Sequence, residues 1–209
     1  SNRHLYQSSY LMSLDQPNLY LFHLFNAPDH ASIWMINYAC LIAHDLVYLF
    51  LLIFAIAWLR GNREVKTVII KAFIFTAITL FISEVLSAVL NTPRPFVMEI
   101  GHALIEHEAT GSFPSNHMSI FSGIALAYYF SPQRDLGRLL LWTAWLVAWS
   151  RIYVGVHFPI DMAGAFLIAL VVNLAGLSLW WKYQEKLMDF ILNIYQFLFA
   201  PLIRMGWIK

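Results

Sequence analysis

Five stretches of this chain are each long and apolar enough, as sequence, to cross a bilayer, and that leaves few ways for it to fold. A spanning helix needs about 20 predominantly apolar residues. In hydrocarbon every backbone polar group must also find its partner inside the chain, so an all-α bundle is the expected fold class. The stretches run over approximately 33–59, 68–90, 114–130, 139–156 and 159–181. The composition agrees, with 60% hydrophobic and 12% charged residues, against about 45–50% and about 25% in a soluble domain. The net charge of +1 offers no basic field for nucleic acid and no acidic tail. Cys40 is the only cysteine, so an intrachain disulfide is impossible.

Two further segments are apolar on one side. Residues 19–25 are too short to span, and Asp15, Gln16 and Pro17 block their extension; they read as an interfacial helix. Towards the C-terminus, Leu187, Phe190, Ile191, Ile194, Phe197 and Leu198 share one helical face, while Asp189, Asn193 and Gln196 share the other. This predicts a separate helix lying on the membrane, with a sixth span as the alternative. The expected architecture is therefore polytopic, with five to six transmembrane helices and interfacial amphipathic helices. Residues 1–11 are polar and mixed and are expected to be linker or vector sequence, leaving one integral-membrane domain over 12–209.

Basic residues set the expected orientation. Arg60, Arg63 and Lys66, then Arg134 and Arg138, then Lys182 and Lys186 all fall at one end of the predicted bundle, which reads as cytoplasmic. The loop over 91–113 carries Glu99, Glu106 and Glu108 with only Arg94 as a base, and reads as facing outward.

Three polar segments map to that outward end. They are Asn91-Thr92-Pro93-Arg94-Pro95, Pro114-Ser115-Asn116-His117, and the run Ser150-Arg151, five residues, His157, three residues, Asp161. Pro159 suits the first turn of a helix, which puts His157 just before the last span and Asp161 one turn into it. A carboxylate beside an imidazole sets its tautomer and raises its basicity. Pro114 is expected to open the third span, leaving N–H groups near Ser115, Asn116 and His117 to meet an anion at the positive end of the helix dipole. Arg94 and Arg151 supply forked donors suited to phosphate oxygens. The set reads as a phosphoryl-transfer site, without a carboxylate cage for a metal.

These residues resemble the three-part signature of the type 2 phosphatidic acid phosphatase superfamily, which includes the vanadium haloperoxidases. The signature reads Lys, six residues, Arg-Pro; then Pro-Ser-Gly-His; then Ser-Arg, five residues, His, three residues, Asp. The third part is met in full by Ser150, Arg151, His157 and Asp161. Asn116 replaces Gly in the second, and Ser87 stands where the first has Lys. More narrowly, the short chain, the Asn-Ala-Pro-Asp run at 26–29, and Arg-Pro-Phe followed by Glu-Ile-Gly resemble the bacterial undecaprenyl-diphosphate phosphatases.

The resemblance implies that His157 is the nucleophile, forming a phosphohistidine. Asp161 holds it, and His117 protonates the leaving group and then activates water. Arg94, Ser115, Asn116 and Arg151 hold phosphate oxygens, and neither metal nor cofactor takes part. It implies a lipid diphosphate substrate in the bacterial plasma membrane, with the site on the extracytoplasmic side. Phosphatidylglycerol phosphate, phosphatidic acid, phosphotransfer to another lipid, and lipid binding without catalysis are the alternatives. Elsewhere, His44 with Asp45 reads as a buried or interfacial polar pair, Glu84 as a partner for a cation near the site, and His102, Glu106, His107 and Glu108 as a solvated loop.

Overall fold

The protein is described here by a computed structural model covering residues 16–208. The expectation about residues 1–11 lies outside that range. Helix α1 (Gln16–Phe25) comes first. Helix α2 (Ile33–Cys40) runs through a π turn (Leu41–Asp45) into α3 (Leu46–Arg60) without a break. Then follow α4 (Arg63–Leu90), a 3-10 turn (Pro95–Met98), α5 (Asn116–Tyr129), α6 (Arg134–Tyr153), α7 (Pro159–Leu198) and the short α8 (Ala200–Arg204).

This is an all-α polytopic membrane bundle, but among the described residues three helices rather than five or six are long and apolar enough to cross a membrane. They are Ile33–Arg60, Arg63–Met98 and Pro159–Leu198. The correction has a physical reason in each case. Helix α5 has only 14 residues, about 21 Å of rise, against about 30 Å of hydrocarbon. It is buried along most of its length, as the centre of the bundle. Helix α6 carries Arg134, Asp135 and Arg138 at one end and Arg151 at the other. A window of apolar sequence therefore overcounts spans, because a helix shielded by other helices is as apolar as one facing lipid.

The C-terminal expectation is also corrected. Among the described residues the predicted stripe is neither a separate surface helix nor a sixth span, because α7 continues unbroken for 40 residues, about 60 Å. Between Trp181 and Leu187 the chain reads Lys-Tyr-Gln-Glu-Lys, with no Gly or Pro to end a helix. The far half of α7 is clamped to the start of α4 by Arg63, which reaches Glu185 at 2.9 Å and Asp189 at 2.8 Å. The predicted apolar stripe there is real but faces outward: Phe190, Ile194, Phe197 and Leu198 are exposed, while Met188 and Tyr195 pack inward.

Helices α4, α6 and α7 pack around α5. Small side chains allow the close approach that replaces a hydrophobic drive in lipid. A Cβ on Gly123 would lie 2.7 Å from Thr76 Oγ1, and Ala125, Ala144, Ala165 and Ala169 are fully buried. Helix α3 has no buried residue, and its exposed leucines and isoleucines form an apolar outer face suited to lipid. Asn62 caps α4 by accepting from the Val65 N–H at 3.0 Å. Asn91 ends α4 in the left-handed region at φ 42°, a conformation Asn tolerates better than most residues.

The end of α1 anchors the site end of the bundle. Asn26 donates to the carbonyls of His102 (3.0 Å) and Tyr153 (3.1 Å) and accepts from the His102 N–H (2.7 Å). Gly155, at φ +79°, passes so close to His102 that a Cβ would lie 2.1 Å from its carbonyl oxygen. Asn26→Ala leaves these backbone groups unpaired. It should lower stability by about 2–3 kcal/mol, read as a lower thermal midpoint in detergent. Asn26→Asp, which keeps the acceptor and loses the donors, should not restore it.

Candidate active site

The three polar segments meet at one end of the bundle. Pro159 opens α7, and Asp161 sits in its first turn. There the Asp161 Oδ2 accepts from the Phe158 N–H at 2.8 Å, closing the helix start. The same oxygen lies 3.1 Å from His157 Nδ1 and accepts from Ser112 Oγ at 2.5 Å. His157 and Asp161 are both 2% exposed, so this pair is shielded from water and from competing partners.

On the other side of the imidazole, Arg94 Nη1 lies 2.9 Å from His157 Nε2. A guanidinium only donates, so Nε2 presents its lone pair and the ring proton is on Nδ1, facing the carboxylate. That is the tautomer a nucleophilic imidazole needs. Arg94 is held by the carbonyls of Thr110 (3.1 Å), Gly111 (3.1 Å) and Val156 (3.1 Å) and by Thr110 Oγ1 (3.2 Å). The loop from α4 to α5 therefore aims this arginine.

Arg151 lies in the last turn of α6 and is 1% exposed. Its Nη1 donates to the Ala43 carbonyl at 2.9 Å. Ala43 lies inside the π turn, where the shifted hydrogen-bond ladder leaves carbonyls available. Arg151 Nε and Nη2 are buried and have no hydrogen-bond partner among the described residues. A buried charge with open donors is costly unless an anion completes it.

Helix α5 faces this group with its N-terminus. Ser115 is the N-cap, its hydroxyl accepting from the Met118 N–H at 3.4 Å. Its own N–H is engaged by the Asp161 carbonyl at 3.2 Å, so the free donors expected there reduce to the first-turn N–H groups of Asn116 and His117. The Phe113–Pro114 bond before the cap is cis. His117 is half-buried, and burial first, then the charge of Arg151 across the site, lowers its pKa to about 3. The Asn116 amide donates to Glu84 on α4, so Glu84 meets an amide rather than the expected cation. Ser87 donates to the Gly111 carbonyl at 3.2 Å and so steadies the loop that carries Ser112.

His44 and Asp45 pair at 2.6 Å and are 64% and 60% exposed, which removes the buried alternative and leaves the interfacial one. The 102–108 loop is not merely solvated. His102 bonds to the Ala27 carbonyl at 2.9 Å and reaches Asp29 at 2.8 Å, and His107 stacks edge-on to His157 at 6.2 Å. Ser112, Thr110 and Ala43 were missed by sequence reasoning. A serine in a loop and a carbonyl in an apolar helix carry no motif, and only the Gly-Ser before Phe-Pro hinted at a tight loop.

The comparisons with known proteins decide the family. Residues 68–186, more than half of the chain, match the pattern described as the PAP2 superfamily. This chain belongs to it. It is 36% identical over 196 residues to the Escherichia coli (strain K12) protein named "Putative undecaprenyl-diphosphatase YbjG", covering 94% of this chain and 99% of that one. It is 30% identical over 171 residues to the undecaprenyl-diphosphatase BcrC of Bacillus subtilis (strain 168), covering 80% of this chain and 82% of that one. The fold is similar to the crystal structure of Aquifex aeolicus LpxE, with a TM-score of 0.61, 24% identity, and coverage of 77% of this chain and 94% of that one. It is also similar to a PAP2-type phosphatidylglycerolphosphate phosphatase from Bacillus subtilis, with a TM-score of 0.56, 20% identity, and coverage of 79% and 84%. The chain is thus a multi-pass membrane protein homologous to PAP2 lipid phosphatases.

Burial, and then the charges of Arg151 and Arg94, hold the His157 imidazole well below the usual histidine range. The ring is therefore neutral near pH 7. The unfolded chain takes up this proton near pH 6.5 while the folded one does not. Stability from this group is present above that pH and is lost as pH falls below it. The thermal midpoint should drop between pH 7.5 and pH 5.5, and the drop should shrink in His157→Gln. An equal drop in both proteins would exclude His157 as its source.

Proposed function

We propose that the chain hydrolyses an undecaprenyl or related polyprenyl diphosphate, releasing inorganic phosphate and returning the lipid monophosphate for cell-envelope synthesis. The observation that carries this reading is the buried pair of open donors on Arg151, beside an imidazole whose lone pair points away from its carboxylate. The two relatives named undecaprenyl-diphosphatase support the substrate class.

In this reading the terminal phosphate enters against Arg151, Arg94 and the α5 N-terminus, with Ser115 and Asn116 lining its oxygens. Arg94 turns its Nη1 donor from His157 to the phosphate, which frees the Nε2 lone pair. Nε2 attacks the terminal phosphorus, and the bond from that phosphorus to the bridging oxygen breaks. The negative charge of the bound phosphate offsets Arg151 and Arg94 and lets His117 carry a proton, which it gives to the departing lipid phosphate. Asp161 stabilises the cationic ring through Nδ1. His117 then takes a proton from water, whose oxygen attacks the phosphorus and breaks the P–N bond. Phosphate leaves and both histidines return to their starting states. The donors aimed at the phosphate act where charge develops, as electrostatic catalysis requires. The site faces the extracytoplasmic side of the plasma membrane, because the basic ends of the helices lie opposite it.

The test is a detergent assay of phosphate release from polyprenyl diphosphate, phosphatidylglycerol phosphate and phosphatidic acid. The polyprenyl diphosphate should be turned over fastest, and activity should survive exhaustive chelation. His157→Ala and His117→Ala should each lower kcat by about 10²–10⁴-fold, in protein that remains folded. Acid-labile, alkali-stable phosphate should be trapped on the enzyme by rapid quench in His117→Ala and be missing in His157→Ala. A phosphoenzyme that persists without His157, or preference for a monophosphate lipid, would overturn the reading.

A further inference from the structure

His44 and Asp45 stand out on the first long apolar helix. They lie within the span Ile33–Arg60, roughly three turns in from Ile33. Apart from Arg60 at its end, that span has no other Asp, Glu, Lys, Arg or His. Both side chains are open, at 64% and 60% exposure. An ionisable pair this far into a span is costly against lipid and is expected to face a polar recess or a ligand. The proposed reaction gives these two residues no part.

The π turn sets the pair beside the phosphate site. The carbonyl of Ala43, the preceding residue, holds Arg151 Nη1 at 2.9 Å. Ile42, one residue further back, is buried in the same core cluster as Met118, the neighbour of His117 on α5. The charge that His44 can carry is felt at His117. In the proposed reaction His117 serves the departing lipid phosphate, and attack and departure lie roughly in line. His44 is therefore on the leaving-group side, opposite His157, where the inner phosphate of a diphosphate would lie.

The local chemistry suits an anion there. A carboxylate only accepts, so the 2.6 Å contact between His44 Nδ1 and Asp45 Oδ1 places a proton on Nδ1. Nε2, across the ring, points away from the carboxylate. Tyr48, one turn on, packs its ring 5.9 Å from the imidazole. Arg94, Arg151 and the α5 N-terminus are taken up by the terminal phosphate, which leaves the inner one without a cation of its own.

We propose that His44, oriented by Asp45, recognises the inner phosphate of a lipid diphosphate and so selects diphosphates over monophosphates. This rests on the lipid diphosphatase reading and names the contact behind its substrate class. With the substrate in place the imidazole holds two protons, a state that the added negative charge favours. Nδ1–H donates to Asp45, and Nε2–H donates to an oxygen of the inner phosphate. His44 touches the substrate, and Asp45 is a positioning residue.

The test is isothermal titration of the detergent-purified full chain with methylenediphosphonate, whose P–C–P link cannot be hydrolysed, and with inorganic phosphate. His44→Gln should weaken the diphosphonate about 10–100-fold, the loss expected for one hydrogen bond to a charged group, and phosphate far less. His44→Lys, which restores a cation, should recover most of the affinity, and Asp45→Asn should give an intermediate loss. With polyprenyl diphosphate as substrate, His44→Gln should raise KM more than it lowers kcat. Equal weakening of both ligands, or of neither, with the thermal midpoint intact, would overturn the proposal. If His44→Gln lowers the thermal midpoint, His44→Lys decides, and folded His44→Lys protein without recovered diphosphonate affinity overturns it too. If polyprenyl diphosphate proves a poor substrate while diphosphonate binding still depends on His44, the contact stands and the lipid assignment fails.

Discussion

A single carboxylate oxygen joins three parts of this molecule. Asp161 Oδ2 takes the Phe158 N–H that opens α7, the Ser112 hydroxyl from the outer loop, and the proton side of His157. Each donor would be costly to bury alone. Together they fix where the last helix begins, how the loop before α5 lies, and which nitrogen of His157 carries its lone pair. The helix start and the chemistry thus depend on the same atom. His157 and Asp161, four residues apart, therefore act as a single unit rather than as two separable residues.

The arginines impose the second constraint. Arg94 and Arg151 are both almost completely buried, and a membrane bundle has little water to compensate them. Arg94 spends its donors on loop carbonyls and on His157. Arg151 has one partner, the Ala43 carbonyl of the π turn. The distortion at Leu41–Asp45 therefore has a definite role: it turns a carbonyl of an otherwise apolar helix towards a cation. What remains open on Arg151 is suited to an anion, and the desolvated surroundings would strengthen such an attraction.

The two ends of the bundle are electrostatically distinct. One holds a few buried cations arranged around a neutral imidazole. The other holds many exposed cations and a clamp from Arg63 to the far half of α7. The length of α7 allows this, since a 40-residue helix outlasts the bilayer and carries its last turns beyond it.

The sequence was enough to read an all-α membrane bundle, the polar segments at one end, and the register of His157 and Asp161. Local periodicity, proline position and residue spacing carry that information. Span number was not legible, because Asn116–Tyr129 is apolar through contact with other helices and composition does not record which neighbour a side chain meets. The unbroken α7 was legible only as an amphipathic stripe, since the absence of a breaker at 182–186 competes with the pattern that follows it. Ser112 against Asp161, Ala43 against Arg151, and Asn26 across the outer loop join residues 49, 108 and 76 positions apart. No local rule reaches that far. Those contacts were decided by tertiary structure alone, because a buried polar group takes whichever partner the packing brings within hydrogen-bond distance.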